Sequence, residues 1–361
     1  MMLVAATRKG LFRFDRNGAT ADSWSIVGRD FLGEPVTAVV VDPARRYWLA
    51  ALRLGHFGVK LHASDDACAS WREIDAPAYP PKPQDSDDPV PWALDQVWVL
   101  EGLHAAAPQR IWAGTLPGGL FRSEDRGSSW QLVESLWNRP ERRQWFGGGY
   151  DHPGVHSVAV SCADPDDVLV GVSCGGAWRS RDGGKNWHLG TGMIAEYMPP
   201  EQRGNDATQD PHAIVRSPAR PEVAWTQHHN GVWRSDDGGD HWRRLTRGDG
   251  DFGFAVAAHP RDPDTAWFVP AAADAQRFAP GAAMVVSRTR DGGRSFEALR
   301  RGLPQTDAYD LVYRHALAVA NDGVTLAIGS TTGSLWISGD QGDSWTAVSS
   351  SLPPVYTLRF V

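Results

Sequence analysis

Short apolar runs of four to six residues, each closed by a turn rich in Asp, Pro or Gly, recur along the chain. Val155 to Val160 is followed by Ala163-Asp164-Pro165-Asp166-Asp167 and then by a second run, Val168 to Val172. Gly175-Gly176 opens a third run that ends at Arg179-Ser180, and an Asp-containing turn leads to a fourth that starts at Trp187. Runs of this length bounded by turn residues predict β-strands, and four in succession predict an antiparallel meander. The series returns with Val97, Ile111 to Gly114, Gly119 to Arg122 and Trp130 to Val133, and again with Ile214, Val223 to Thr226, Gly231 to Arg234 and Trp242 to Leu245. The first strand of each set is a continuous apolar run, as expected for a strand covered on both faces near an axis.

The turn before each fourth strand carries one eight-residue pattern, Ser/Thr-x-Asp-x-Gly-x-x-Trp/Phe. Copies occupy 64–71, 123–130, 180–187, 235–242, 289–296 and 338–345, at steps of 59, 57, 55, 54 and 49 residues. That period is the length of one four-stranded sheet with its loops. Cys68 replaces the glycine of the first copy and Phe296 the tryptophan of the fifth. A seventh, degraded unit stands at the N-terminus, where Gly10-Leu11-Phe12-Arg13 matches Gly119-Leu120-Phe121-Arg122 and Trp24 is the closing aromatic, but its first strand is missing. Val355 to Val361 is a strand with nothing after it. The two ends therefore predict a shared sheet that removes both edges. The expected fold is all-β, a seven-bladed β-propeller of four-stranded antiparallel blades forming one domain over 1–361, closed by the C-terminal strand joining the N-terminal blade.

Composition narrows the function classes. Hydrophobic residues make up 42% of the 361 positions and include 17 Trp, enough for a large core, while 38 Gly and 25 Pro suit many short strands and tight turns. A net charge of −7 argues against nucleic acid or an anionic membrane as partner, since both need a basic footprint. The N-terminal apolar run is interrupted at Thr7-Arg8-Lys9 and does not read as a signal peptide, and no apolar stretch approaches membrane-spanning length. Three cysteines without a C-x-x-C spacing fit a reducing cytoplasm.

The octapeptides, with Ser123-Glu124-Asp125-Arg126-Gly127-Ser128-Ser129-Trp130 a full match, resemble the Asp-box, or bacterial neuraminidase, repeats of sialidases, sortilin-type receptors, xyloglucanases and a plant photosystem assembly factor. The resemblance covers almost the whole chain. It implies that the octapeptides lie on a rim away from the active face and are structural: the Asp accepts N–H groups of its own turn, the glycine supplies positive φ and the aromatic ring packs between sheets. The superfamily mixes hydrolases, lyases, receptors and scaffolds, so the fold it implies does not fix an activity. Sialidase activity is not expected, because the stretch that would hold Arg-Ile-Pro reads Thr7-Arg8-Lys9-Gly10, with Arg8 and Arg53 at most two of the three arginines needed.

With the octapeptides on one rim, chemistry is expected at the other end of the strands, on three long connections, Ala76 to Leu94, Glu134 to Gly154 and Gly190 to Pro211. The first, with Pro80-Pro81, Pro83 and Asp85 to Asp88, reads as a solvated lid. The second and third mix aromatics with arginines and carboxylates, as sugar binding requires. His156 and His212 occupy equivalent positions at the starts of two first strands, His228 and His229 lie on a turn at the same end, and His56 on another. The candidate catalytic groups are Asp151, His156, Glu196, Asp210 and His212, with Asp95 in reserve: glycosidic cleavage needs one protonated and one ionised carboxyl, and imidazoles can move protons. Candidate substrate-binding residues are Arg53, His56, Arg143, Trp145, Tyr150, Tyr197, His228 and His229. No cofactor is expected; a divalent metal, if one binds, would take His156, His212, His228 and His229. The pattern points to a carbohydrate-active enzyme, glycoside hydrolase-like or a lyase, with an acidic, histidine-rich cleft over the central channel and a small-molecule or oligosaccharide ligand. A non-catalytic ligand- or protein-binding scaffold and a metal-dependent hydrolase are the alternatives.

Overall fold

A computed structural model describes residues 1–16, 18, 23–248 and 250–361. Its strands form seven four-stranded antiparallel sheets, the seven blades of a β-propeller. No helix is long and apolar enough to cross a membrane among the described residues. By compactness the chain divides into two units. Unit 1 comprises residues 1–36, 212–238 and 242–361, and unit 2 residues 37–211 and 239–241.

Unit 1 contains the shared sheet. Val355–Phe360 pairs antiparallel with Met2–Thr7, with Leu3 opposite Phe360 and Ala5 opposite Leu358, and Gly10–Arg16 and Trp24–Asp30 complete the sheet. The apolar residues of both termini make this pairing, since Leu3, Val4, Ala5, Ala6 and Val355 are all fully buried. Its other sheets begin with strands Pro211–Arg216, Gly253–Ala258 and Leu317–Val319. Unit 2 carries the sheets that begin with Val36–Val41, Gln96–Gly102 and Val155–Val160. First strands are buried along most of their length, as their unbroken apolar runs require. The fourth strands are shorter than expected, only Gln131–Leu132 and His188–Leu189 in two of the sheets. There the outer edge faces water and little side-chain packing extends the pairing.

Each octapeptide closes a turn through its Asp. In the copy at 180–187, the Ser180 hydroxyl donates to Asp182 Oδ1 at 2.8 Å and accepts the Gly184 N–H at 2.8 Å. The Asn186 N–H and side-chain amide donate to the two carboxylate oxygens at 2.9 and 2.7 Å. The same arrangement recurs around Asp66, Asp125, Asp291 and Asp340 with a serine in place of Asn186. The glycine has positive φ, and at Gly239 and Gly293 it leaves no room for a side chain. A Cβ on Gly239 (φ 102°) would lie 2.5 Å from Leu169 of the preceding sheet, and one on Gly293 (φ 86°) 2.5 Å from Leu245 of its preceding sheet. Arginines of the third strands lock the same seams. Arg179 pairs with Asp167 at 2.8 Å and reaches Asp240 of the next octapeptide, and Arg288 donates to the Gln341 carbonyl at 2.8 Å.

Two outcomes follow from this turn. Gly239→Ala combines left-handed strain with overpacking against Leu169 and is expected to lower stability by about 2 kcal/mol, read by urea unfolding. Hydrogen bonds from Ser70, Asn186 and Ser295 hold Asp66, Asp182 and Asp291 down at about 2. A carboxyl depressed in the folded state contributes its stability above its unfolded pKa and loses it as pH falls through the folded value. Melting temperature is therefore expected to drop between about pH 4 and pH 2, and Asp182→Asn to start lower at neutral pH with a shallower acid slope.

Candidate functional site

In an antiparallel meander, the turns between second and third strands and the loops that lead into the next first strand share one end of the sheet. All three long connections lie in unit 2, and they are structured. The second contains a helical turn, Glu134–Trp137, and a 3-10 helix, Pro140–Gln144. The first is not a solvated lid over its whole length: Asp85 and Asp87 are exposed, but Asp88 and Val90 are buried. Arg142, from the second connection, ion-pairs with Asp88, donates Nε–H to the Trp137 carbonyl at 2.6 Å and lies 3.9 Å from the Trp137 ring centroid. Asp88 also accepts from Trp92 Nε1 at 2.9 Å and from the Val90 N–H at 3.1 Å. Burial would raise the Asp88 carboxyl, but Arg142 and these donors hold it below the usual range. Tyr79 anchors the start of the same connection, its hydroxyl on Thr115 Oγ1 at 2.6 Å and its titration pushed up by burial.

On this frame unit 2 displays two groups of side chains. Trp98 joins Tyr150 and His156, with ring centroids 5.1 and 5.6 Å away, both edge-on. His156 is wholly buried with Nδ1 on Ser157 Oγ at 2.8 Å, whereas Tyr150 is 40% exposed. In the second group, the Cys174 N–H donates to Asp210 Oδ1 at 3.0 Å and Ser173 Oγ lies 3.4 Å from the same oxygen. Tyr197, 41% exposed, places its hydroxyl 3.9 Å from Cys174 Sγ. Gly148 lies over this group; a Cβ there would sit 3.0 Å from the sulfur and 3.5 Å from Asp210 Oδ2. Burial and the Asp210 charge push the Cys174 thiol far up, so it stays protonated.

The remaining unit 2 candidates are spread along the loops. Arg53 donates to both oxygens of Asp95 at 2.9 Å. Arg143 pairs with Asp87 at 3.0 Å. His56 is exposed and lies against Phe57, and Trp145 is buried edge-on to Trp178. Asp151 and Glu196 are both exposed. Asp206, in the third connection, is raised by burial while accepting the Gly192 N–H at 3.1 Å. In the sequence Asp206 resembles any other loop acid; only burial distinguishes it.

The other candidate histidines belong to unit 1. His212 Nδ1 lies 2.6 Å from the Gly253 carbonyl. A carbonyl can only accept, so Nδ1 carries the hydrogen and Nε2 of the neutral ring holds the lone pair. The ring stacks on Phe254 at 4.6 Å and meets His229 edge-on at 5.3 Å, their ligand nitrogens lying within 4.8 Å. His228 is turned elsewhere, its Nδ1 accepting the Asn230 N–H at 3.0 Å and its ring 6.0 Å from Trp233. Of the candidate metal ligands in this unit, His212 and His229 come together and His228 points into the sheet. Phe252 and Phe254, which pack on this pair, and Arg277 and Arg314, which lie over Phe254, are not marked in the sequence because they come from three separate segments.

No protein-family model and no curated protein matches the chain. Among solved structures, an ancestral GH74 enzyme superposes with a TM-score of 0.60 at 15% identity over 84% of this chain, which spans only 36% of that one. A putative 6-phosphogluconolactonase from Bacteroides uniformis gives 0.58 at 11% identity, covering 100% of this chain and 99% of that one. YCF48 from Cyanidioschyzon merolae gives 0.55 at 12% identity, covering 94% and 89%. At these identities the likeness shows the propeller fold alone.

The buried pair between two connections sets a test of the frame. Asp88→Ala leaves the Arg142 guanidinium buried without its carboxylate and is expected to cost roughly 3 to 5 kcal/mol in urea unfolding, well beyond the change from Asp87→Ala.

Proposed function

We propose that the protein is a carbohydrate-active propeller, glycoside hydrolase-like, that takes an oligosaccharide or glycosylated small molecule in the cytoplasm, and that its octapeptides are Asp boxes. One observation carries the reading: Tyr150 and Tyr197 are exposed rings on rigid supports, Trp98 behind one and the Cys174–Asp210 group beside the other. Aromatic faces fixed in this way bind the apolar face of a sugar ring at little ordering cost. On the same connection as Tyr197, Asp206 has the raised carboxyl that a general acid needs, and Asp151 and Glu196 are exposed side chains assigned here as base or nucleophile. In this assignment Asp210 and His156, both buried, position the site from within, and Arg143 and Trp145 hold its loops.

The second reading is a non-catalytic binding platform for a ligand or a protein. It is favoured by the number of polar candidates already committed to structural bonds, Arg53 to Asp95 and Asp210 to the Cys174 N–H. A titration-calorimetry panel of mono- and oligosaccharides separates the readings. Tyr150→Ala and Tyr197→Ala are each expected to weaken sugar binding about tenfold. With a cleaved substrate in hand, Asp206→Asn is expected to reduce kcat by roughly 10² to 10⁴ while leaving KM near native. Native affinity in both tyrosine variants would remove the sugar platform, and native turnover in the Asp206 variant would remove the acid.

A further inference from the structure

We propose that the loop end of unit 1 holds a binding site for a small organic oxoanion, a carboxylate or phosphate ester on a compact body, gripped by Arg277 and Arg314 over the Phe254 ring. Phe254 is the second residue of the strand Gly253–Ala258 and is buried, with His212 stacked on it at 4.6 Å and an interplanar angle of 16°. Phe252 and Tyr313 meet it edge-on at 5.2 and 5.8 Å. Onto this ring the structure brings two guanidinium groups from separate loops, Arg277 with Cζ 5.7 Å and Arg314 with Cζ 5.1 Å from the centroid. One cation on a ring is attracted by its quadrupole. Two brought to one ring from separate loops concentrate positive charge there, which an anion bound beside them would offset.

The arrangement is built to stay in place. Asp274 holds Arg277, pairing with Nη2 at 2.5 Å while Nε–H reaches the Asp274 carbonyl at 3.1 Å, and the arginine side chain remains 41% exposed. Arg314 and Tyr313 are half-buried. The same two loops are bridged by Phe278 and Tyr309, ring centroids 5.5 Å apart, with Tyr309 60% exposed at the lip. A guanidinium fork matches the paired oxygens of a carboxylate or phosphate, and the aromatic surroundings suit a compact organic body. Asp274 offsets part of the positive charge, and the chain as a whole is acidic at −7, which suits a ligand with one or two charges and disfavours a polyanion.

The test is titration calorimetry on the full chain at low ionic strength with glucuronate, glucose 6-phosphate and uncharged glucose. At least one of the two anions is expected to bind, weakening at high salt, while glucose does not bind at this site; which anion is preferred identifies the head group. Arg277→Gln and Arg314→Gln are each expected to weaken that binding about tenfold or more, with Arg314→Lys intermediate because it keeps the charge and loses the fork. Arg277 is exposed, so its variant carries the test even if Arg314→Gln fails to fold. Tyr150→Ala is expected to leave anion binding unchanged, which keeps this site apart from the sugar platform of unit 2. Absence of binding by both anions, or native affinity in the Arg277 variant, overturns the proposal.

Discussion

The seating of a glycine against the neighbouring sheet is the contact on which the rest of the structure depends. At Gly239 and Gly293 the backbone approaches a leucine so closely that no Cβ fits, and the positive φ that permits the approach also turns the chain into its fourth strand. The Asp two residues earlier holds this conformation by gathering the N–H and hydroxyl groups that the tight turn leaves without strand partners. Where the glycine is absent the geometry persists at a cost: Cys68 holds φ 69° and still donates its N–H to Ser64 Oγ at 2.9 Å. The octapeptide is thus a seam device as much as a turn, which explains why it recurs with the sheet period.

Because the seams are made at the octapeptide end, the loops at the other end of each sheet are released from that task. Unit 2 uses this freedom to carry long connections, and then fixes them again with a buried ion pair. Arg142 and Asp88 each remove a charge from water, and the cost is met by several further hydrogen bonds and by the Trp137 ring. Such a pair contributes little net stability compared with an apolar substitute, but it specifies one arrangement of two loops that share no strand. A binding surface built from loop residues needs that specification, since exposed tyrosines in mobile loops would lose their ordering advantage.

The sheet architecture was legible in the sequence because it rests on local rules. Strand bounds at Val155–Val160 and Val168–Val172, the Asp-centred turns and the shared terminal sheet are each carried by apolar periodicity or turn chemistry within a few residues. The short fourth strands were overestimated because Trp130 and Trp187 read as strand residues, whereas they close the turn and pack back over it. Asp88 was misjudged for a related reason. Its neighbours Asp85 and Asp87 are solvent-facing, and nothing in the sequence separates them from the acid that meets Arg142, 54 positions away. Asp206, Arg277 and Arg314 were missed on the same ground, since burial and convergence onto a ring are properties of the assembled loops.

One structural position shows how the fold admits new chemistry. The second residue of a first strand is Thr37, His156, His212 or Phe254 in four of the sheets. Thr37 donates to the Val97 carbonyl at 2.7 Å and His212 to the Gly253 carbonyl at 2.6 Å, so in both the side chain ties its strand to the next first strand. A threonine exhausts its chemistry in that bond. His212 satisfies such a carbonyl through Nδ1 and lays its imidazole against Phe254, and Phe254, whose side chain has no polar atom to make the bond, becomes a surface on which cations collect. Substitution at this position changes which side chains stand at the loop end while leaving the glycine seams at the other end of the sheet untouched, which is why the fold is so much easier to read from this chain than any chemistry at the loops.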